Sequence, residues 1–289
     1  MFRIVYQSYG NNDVFKQTLF SIFTLQYYLS ETRINFPYSI IVYTDKPEIF
    51  SKYNLETSLL SQNLIQEWKG KYNFLHRVKI IIIEDAARRY NDSIIYIDSD
   101  TYFIKSPILL FKKISSEISL MLNNEGQISK NNQKLLFNFL SNKTNLDIGN
   151  NKIFMWNAGL IGIDKSNIHL INKILELNDN IYEKFYRHIV EQFSFSYYLQ
   201  INTNIYSCDD YLIHYCGDKE LVVEIISRFL EIQKAFPMQN IYKNANKLEP
   251  LKKIKKKEKN LFERFVDVFI RLRKSINKRI ERLKIKLQA

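Results

Sequence analysis

The chain has 289 residues, 46% hydrophobic and 14% aromatic, with only 7 Gly and 5 Pro. This excludes a collagen-like or low-complexity chain and leaves ample material for a buried core. The net charge is +12, but residues 251–289 hold fifteen Lys/Arg against four Asp/Glu, so the body is near neutral and a general nucleic-acid-binding body is disfavoured.

Two cysteines, Cys208 and Cys216, lack metal-ligand spacing and read as free thiols in a reducing compartment, with one disulfide between them the weaker reading. The apolar start is too short for a signal peptide and no run of about 18 apolar residues occurs, so a cytoplasmic location is expected.

Phe2–Tyr6 reads as a strand, followed by the polar turn Gln7 to Asp13 and a helix to about Leu29 with Val14, Leu19, Ile22, Phe23 and Leu25 inward. Ser39–Thr44 is a second strand, and a β-α-β opening of this length implies a parallel sheet. No G-x-G-x-x-G occupies the first turn, which disfavours a dinucleotide fold. Asn63–Trp68 is read as a short strand and Phe74–Tyr90 as a helix carrying His76, Arg77 and Lys79.

The central strand is Ile94–Ile97, ending in Asp98-Ser99-Asp100. A short helix over Ile108–Lys112 and a strand over Glu117–Asn123, ending in Asn123-Asn124-Glu125-Gly126, are expected next. Phe154–Ile163 is strand-like, interrupted by Asn157-Ala158-Gly159, where a glycine marks close approach of a ligand or another backbone. Helices capped by Ser166 and over Glu183–Leu199 follow, then a strand Tyr211–Lys219 and a helix Glu220–Lys234. Pro237 and Pro250 bracket a linker. The domain reading is an α/β body over 1–236, a linker with a polybasic run over 237–259, and a basic amphipathic helix over 260–289.

Chemistry concentrates at two places. Residues i and i+2 of a strand point the same way, so Asp98 and Asp100 can converge at the strand end. Two such carboxylates repel unless a cation lies between them, and Mg²⁺ or Mn²⁺ suits oxygen ligands and phosphates. An Asp-x-Asp by itself is equally a polar turn. His214-x-x-Gly217-x-Lys219 adds an imidazole ligand, a backbone able to approach a phosphate, and a positive charge. An aspartyl phosphatase of the Asp-x-Asp type is disfavoured, because Tyr102 stands where Thr or Val is wanted and the strand is far from the N-terminus.

Taken in order, Gln7-Ser8 with Asn12-Asp13-Val14-Phe15, the basic helix, Tyr96-Ile97-Asp98-Ser99-Asp100-Thr101, Trp156-Asn157-Ala158-Gly159, Glu191-Gln192 and His214 to Lys219 resemble the glycosyltransferase A fold, and within it glycosyltransferase family 8. The resemblance spans about residues 1–220. Two departures stand out: Glu191 replaces the family's Asp, and Glu220-Leu221 replaces its Pro-Trp.

The resemblance implies an α/β domain with a mostly parallel central sheet flanked by helices. It implies Mn²⁺ (or Mg²⁺) on Asp98, Asp100 and His214, and the diphosphate on Lys219 and the Gly217 backbone. Gln7, Ser8 and Phe15 would surround the base, Lys79 or Arg77 would touch phosphate or sugar, and Asp98 or Ser99 would lie near the ribose. Asn157, Glu191 and Gln192 would face the transferred sugar. The implied reaction moves a hexose from a nucleotide-diphosphate-sugar, UDP-linked and with retention, to a glycan or glycolipid acceptor such as a lipopolysaccharide or capsule precursor.

From Asn260 to Leu287, Leu261, Phe265, Val268, Leu272, Ile276, Ile280, Leu283 and Leu287 recur at helical spacing, flanked by basic residues and preceded by Lys252-Lys253-Ile254-Lys255-Lys256-Lys257. Residues 252–287 therefore read as an anchor for an anionic membrane surface, placing the chain peripherally on the inner face. A solvated helix or coiled-coil face is the plainer alternative. The non-enzyme alternative is a basic membrane- or nucleic-acid-binding protein with an inactive transferase-like body.

Overall fold

A computed structural model describes residues 1–248, except 131, 132, 145, 147, 149–151, 218, 234 and 235. The polybasic run and the expected helix of 260–289 lie outside the described residues. Met1–Leu248 forms one compact unit.

The chain opens with β1 (Phe2–Ser8), α1 (Asn12–Ser30), β2 (Tyr38–Thr44), α2 (Pro47–Ser51), β3 (Glu56–Leu59), α3 (Gln62–Lys69), α4 (Arg77–Tyr90), β4 (Ser93–Ile97) and β5 (Thr101–Phe103). It continues through α5 (Ile108–Phe111), β6 (Ile118–Met121), β7 (Asn124–Gln127), α6 (Lys134–Lys143), β8 (Phe154–Trp156) and β9 (Leu160–Ile163). The last elements are α7 (His169–Tyr182), α8 (Ile189–Asn202), β10 (Asn204–Ser207), β11 (Leu212–His214), α9 (Lys219–Gln233) and α10 (Met238–Leu248).

Seven strands form one mixed sheet in the order β10-β6-β9-β4-β1-β2-β3. All neighbours are parallel except β9, which runs antiparallel to both β4 and β6. Ile4–Tyr6, Ile41–Tyr43 and Ile94–Ile97 are almost fully buried, as expected of parallel strands covered on both faces. The helices α4, α7 and α8 pack in succession, while α1 packs against α9 and α10. A second apolar cluster under the β7–β8 ribbon joins Leu136, Leu140, Met155, Ile181, Val190 and Phe193.

Strand β1 feeds β2 on one side and has β4 on the other. Connections therefore leave the sheet in opposite directions between β1 and β4, and such a reversal opens a crevice beyond the carboxyl ends of the strands. Gln7 and Asp98 stand at those two ends.

The structure corrects several expectations. Residues 63–68 are helical, not extended: Ser61 caps α3 by accepting the Leu64 N–H at 3.2 Å. The stretch Asn123–Gly126, expected to end a strand, instead opens a new one, β7, which pairs with β8 through a bulge between Asn124 and Gly126. The helix expected from Ser166 is capped by Asp164, which accepts the Ser166 N–H at 3.0 Å over a 3₁₀ turn before α7. The helix expected from Glu183 starts at Ile189, so Glu191 and Gln192 fall in its first turn. Residues 238–248, read as linker, form α10, whose Ile241 and Ala245 are buried at a spacing of one turn. Strand β10 was not expected. Among the described residues no helix is long and apolar enough to cross a membrane.

Candidate active site

The turn after β4 is fixed by backbone bonds. The Asp98 N–H donates to the Gly159 carbonyl at 2.8 Å, and Thr101 Oγ1 donates to the Asp98 carbonyl at 2.8 Å. The chain then reverses into β5, which pairs antiparallel with β11 in a separate two-stranded sheet. The register sets His214 opposite Thr101, and the imidazole Nε2 lies 3.2 Å from Asp100 Oδ1. Ligand atoms of Asp98, Asp100 and His214 all fall within 4.8 Å of one another. Lys219, the first residue of α9, places Nζ 2.7 Å from Asp100 Oδ2.

Burial alone would raise the Asp100 carboxyl, but His214 and Lys219 outweigh it and hold the group well below the usual carboxylate range. Burial likewise lowers the His214 imidazole, and the Asp100 hydrogen bond and charge reverse that to a net rise.

A second cation sits behind Asp98. Lys79 is buried, with Nζ 3.1 Å from Asp98 Oδ1, 3.2 Å from the Ala158 carbonyl and 3.4 Å from Glu191 Oε1. Burial pushes the Glu191 carboxyl up to about 7, against the pull of Lys79.

Of the three residues expected to face the sugar, Asn157 and Gln192 meet through Glu125, whereas Glu191 is buried against Lys79. Glu125 Oε1 accepts the Asn157 amide at 2.8 Å, and its Oε2 accepts the Gln192 amide at 2.8 Å. Asn157 Oδ1 accepts the Gly159 N–H at 2.9 Å. A Cβ on Gly159 would stand 3.0 Å from His214 Nδ1, from Asn157 Oδ1 and from Leu122 Cδ2. Its bare Cα thus makes room for the imidazole, a close approach of a side chain rather than of a ligand or backbone.

These groups line one cavity of about 820 Å³, together with Gln7 and Ser99. Gln7 Oε1 is buried without a hydrogen-bond partner. Ser99 Oγ donates to the Gln7 carbonyl at 2.7 Å and so ties the turn to β1. Four expected residues take other places. Ser8 is buried and outside the lining, its Oγ accepting from Thr18 Oγ1 at 2.8 Å. Phe15 is core, 2% exposed and edge-on to Phe50. Gly217 is exposed and does not line the cavity. Arg77 points away, with Nε 2.9 Å from Asp179 Oδ1 and Nη1 donating to the Trp68 carbonyl at 2.8 Å. Sequence reasoning missed Tyr9, His76, Glu125, Gln133, His188 and Cys216, all in the lining.

Two carboxylates and one imidazole are an oxygen-and-nitrogen donor set suited to Mn²⁺ or Mg²⁺. The pairing of Asp100 with Lys219 and of Asp98 with Lys79 shows how strongly this turn attracts positive charge.

No family model matches the chain, and no curated protein matches it. Solved structures do. The mouse xyloside xylosyltransferase 1 in its apo form superposes with a TM-score of 0.48 at 8% identity, over 72% of this chain and 85% of that one. A glycosyltransferase involved in the glycosylation of the major capsid of PBCV-1 gives a TM-score of 0.44 at 12% identity, over 78% of this chain and 98% of that one.

Proposed function

We propose that the chain is a glycosyltransferase of the A type, moving a sugar from a nucleotide-diphosphate-sugar to a glycan or glycolipid acceptor. The observation that carries the reading is the convergence of Asp98, Asp100 and His214 within 4.8 Å, beside Lys219, in a cavity at the β1–β4 switch. Asp98, Asp100 and His214 would hold Mn²⁺ or Mg²⁺. A divalent cation there supplies positive charge to the leaving diphosphate.

The chain's own residues supply the rest. Lys219 already meets a carboxylate oxygen at 2.7 Å, so the same ammonium can swing to a phosphate oxygen and stabilise charge as it develops. Lys79 neutralises Asp98 and Glu191 from behind and keeps both in place. Gln7 offers an unpartnered carbonyl oxygen to the base. Asn157 and Gln192, held by Glu125, present amides toward the sugar. Retention, a UDP-linked hexose and Mn²⁺ over Mg²⁺ are the finer parts of the proposal and rest on motif resemblance. Docking of residues 252–287 on anionic membrane rests on the sequence pattern, and loss of liposome binding on truncation at Pro250 is its test.

The test of the main reading is a thermal-shift and hydrolysis screen of nucleotide-sugars with Mn²⁺. At least one donor stabilises and turns over in the wild type and does neither in Asp100→Ala. A chain that binds no donor, or an Asp100→Ala variant with undiminished turnover, defeats it.

A further inference from the structure

A second, smaller cleft lies beside the cavity. Its volume is about 220 Å³, and it is walled by Lys69, Lys71, Tyr72, Phe74, Asp179 and Tyr182, with Arg77 and Glu183. Two stretches of chain contribute to both openings: the loop before α4, and the end of α7 with the α7–α8 connection. Leu75, His76, Phe185 and His188 line the large cavity, while Tyr72, Phe74 and Tyr182 line the small one.

An unbroken series of rings joins them. His188 lies 6.2 Å from His76, His76 is 5.5 Å from Phe74, and Phe74 stacks on Tyr182 at 3.8 Å. Tyr186 extends the series, 5.4 Å from Tyr182 and 6.0 Å from Tyr72, with 62% of its surface exposed. The floor of the small cleft is ionic. Arg77 is gripped by both Asp179 oxygens at 2.9 and 3.0 Å, over Gly70, where a Cβ would come within 3.0 Å of Arg77 Nε. At the mouth Lys71 faces Glu183 at 3.9 Å, and the Tyr72 hydroxyl donates to the same carboxylate.

We infer that this cleft is a second saccharide subsite, taking a neutral sugar ring of the acceptor one or more units away from the bond being formed. Phe74 is buried behind Tyr182, so the half-buried Tyr72 and Tyr182 rings are the ones that suit the C–H faces of a pyranose, and charged groups of both signs suit its hydroxyls, which both donate and accept. Of the three cations in the wall, Arg77 and Lys71 already face carboxylates, which leaves Lys69 to meet an anionic ligand. The volume is below the roughly 300–1,000 Å³ of pockets that enclose drug-sized ligands, which suits a single ring. The link to transfer, though not the sugar binding itself, rests on the glycosyltransferase reading of the large cavity.

The test is saturation-transfer NMR on the full-length protein with methyl glycosides of glucose, galactose, mannose, xylose, rhamnose and N-acetylglucosamine, and with methyl phosphate as the anionic probe. At least one glycoside receives saturation and methyl phosphate does not. The signal falls at least fivefold in Tyr72→Ala and in Tyr186→Ala, and persists in Asp100→Ala. Silence from all six glycosides, a signal indifferent to both tyrosine variants, or a response to methyl phosphate alone overturns the inference. Nucleotide binding is read separately, by thermal shift with UDP or GDP and Mn²⁺. If the nucleotide binds and no glycoside does, the subsite fails while the transferase reading stands. If a glycoside binds at Tyr72 and no nucleotide does, the subsite stands and the transferase reading fails.

Discussion

Gly159 and His214 share one volume: the Cβ that Gly159 lacks would stand 3.0 Å from His214 Nδ1. The same glycine's carbonyl fixes the Asp98 N–H at 2.8 Å. One backbone position thereby sets both a carboxylate and the imidazole that complete the proposed metal site. In Gly159→Ala the imidazole must yield, since overpacking of this kind costs about 1–3 kcal/mol. The expected outcome is a folded protein with a lowered denaturation midpoint and Mn²⁺ affinity weakened about tenfold, read by calorimetric titration.

Asp100 has two partners, the His214 imidazole and the Lys219 ammonium. In Asp100→Ala Lys219 loses its counter-charge, His214 loses its hydrogen-bond partner, and the donor set falls from three to two. Mn²⁺ binding is expected to drop below detection by titration, with far-ultraviolet circular dichroism unchanged. Asp100→Glu, with its carboxylate moved by one methylene, restores part of the binding.

Lys79 is the counter-charge of two acidic groups. Its removal leaves Asp98 and Glu191 close together, with Glu191 buried and uncompensated. Breaking a buried pair of this type costs about 3–5 kcal/mol. Lys79→Met is expected to lose stability on that scale in urea denaturation, and Lys79→Met with Glu191→Gln to recover a large part of it. A double variant no more stable than the single one would show that the pair does not act as a unit.

His76 reports on the cavity mouth. Burial, then the charge of Lys79, lowers its imidazole from 6.5 to about 4. A base whose folded pKa is depressed makes the unfolded chain the greater proton binder between those values. Its contribution is therefore complete above about 6.5 and is lost as pH falls toward about 4. Urea midpoints across this window are expected to fall more steeply for the wild type than for His76→Gln.

Glu125 accepts one amide proton on each of its oxygens, from Asn157 and Gln192. A glutamine there offers a single acceptor oxygen, so one of the two amides is released. Glu125→Gln is expected to bind the nucleotide diphosphate normally and to transfer sugar at least tenfold more slowly, as measured by kcat with the donor found in the screen.

The parts legible in the sequence are those written in local pattern. The apolar runs of β1, β2 and β4 announce buried parallel strands, and the Asp98, Asp100, His214 and Lys219 motifs name side chains that the fold brings together. The parts that escaped depend on angle or on distant partners. Arg77 and Lys79 are roughly 200° apart around a helix, so only one can enter the cavity, and the sequence does not state the rotation. Phe15 and Val14 are adjacent on α1, and Val14 lines the cavity while Phe15 packs on Phe50. Glu125 sits in a polar stretch whose strand exists only because β8 returns to pair with it. In α10 the narrow stripe of Ile241 and Ala245 has meaning only once α1 is there to cover it.

His214 reaches Asp100 through the β5–β11 pairing, outside the seven-stranded sheet. The two residues are 114 positions apart, and closing so long a loop delays their meeting until most of the chain has been ordered. During synthesis the three-ligand site therefore cannot exist until β11 has emerged and docked. A nascent or truncated chain ending before residue 214 carries the Asp98–Asp100 turn without its imidazole, and at the proposed metal site three-ligand capture of a cation would be a signature of completed folding.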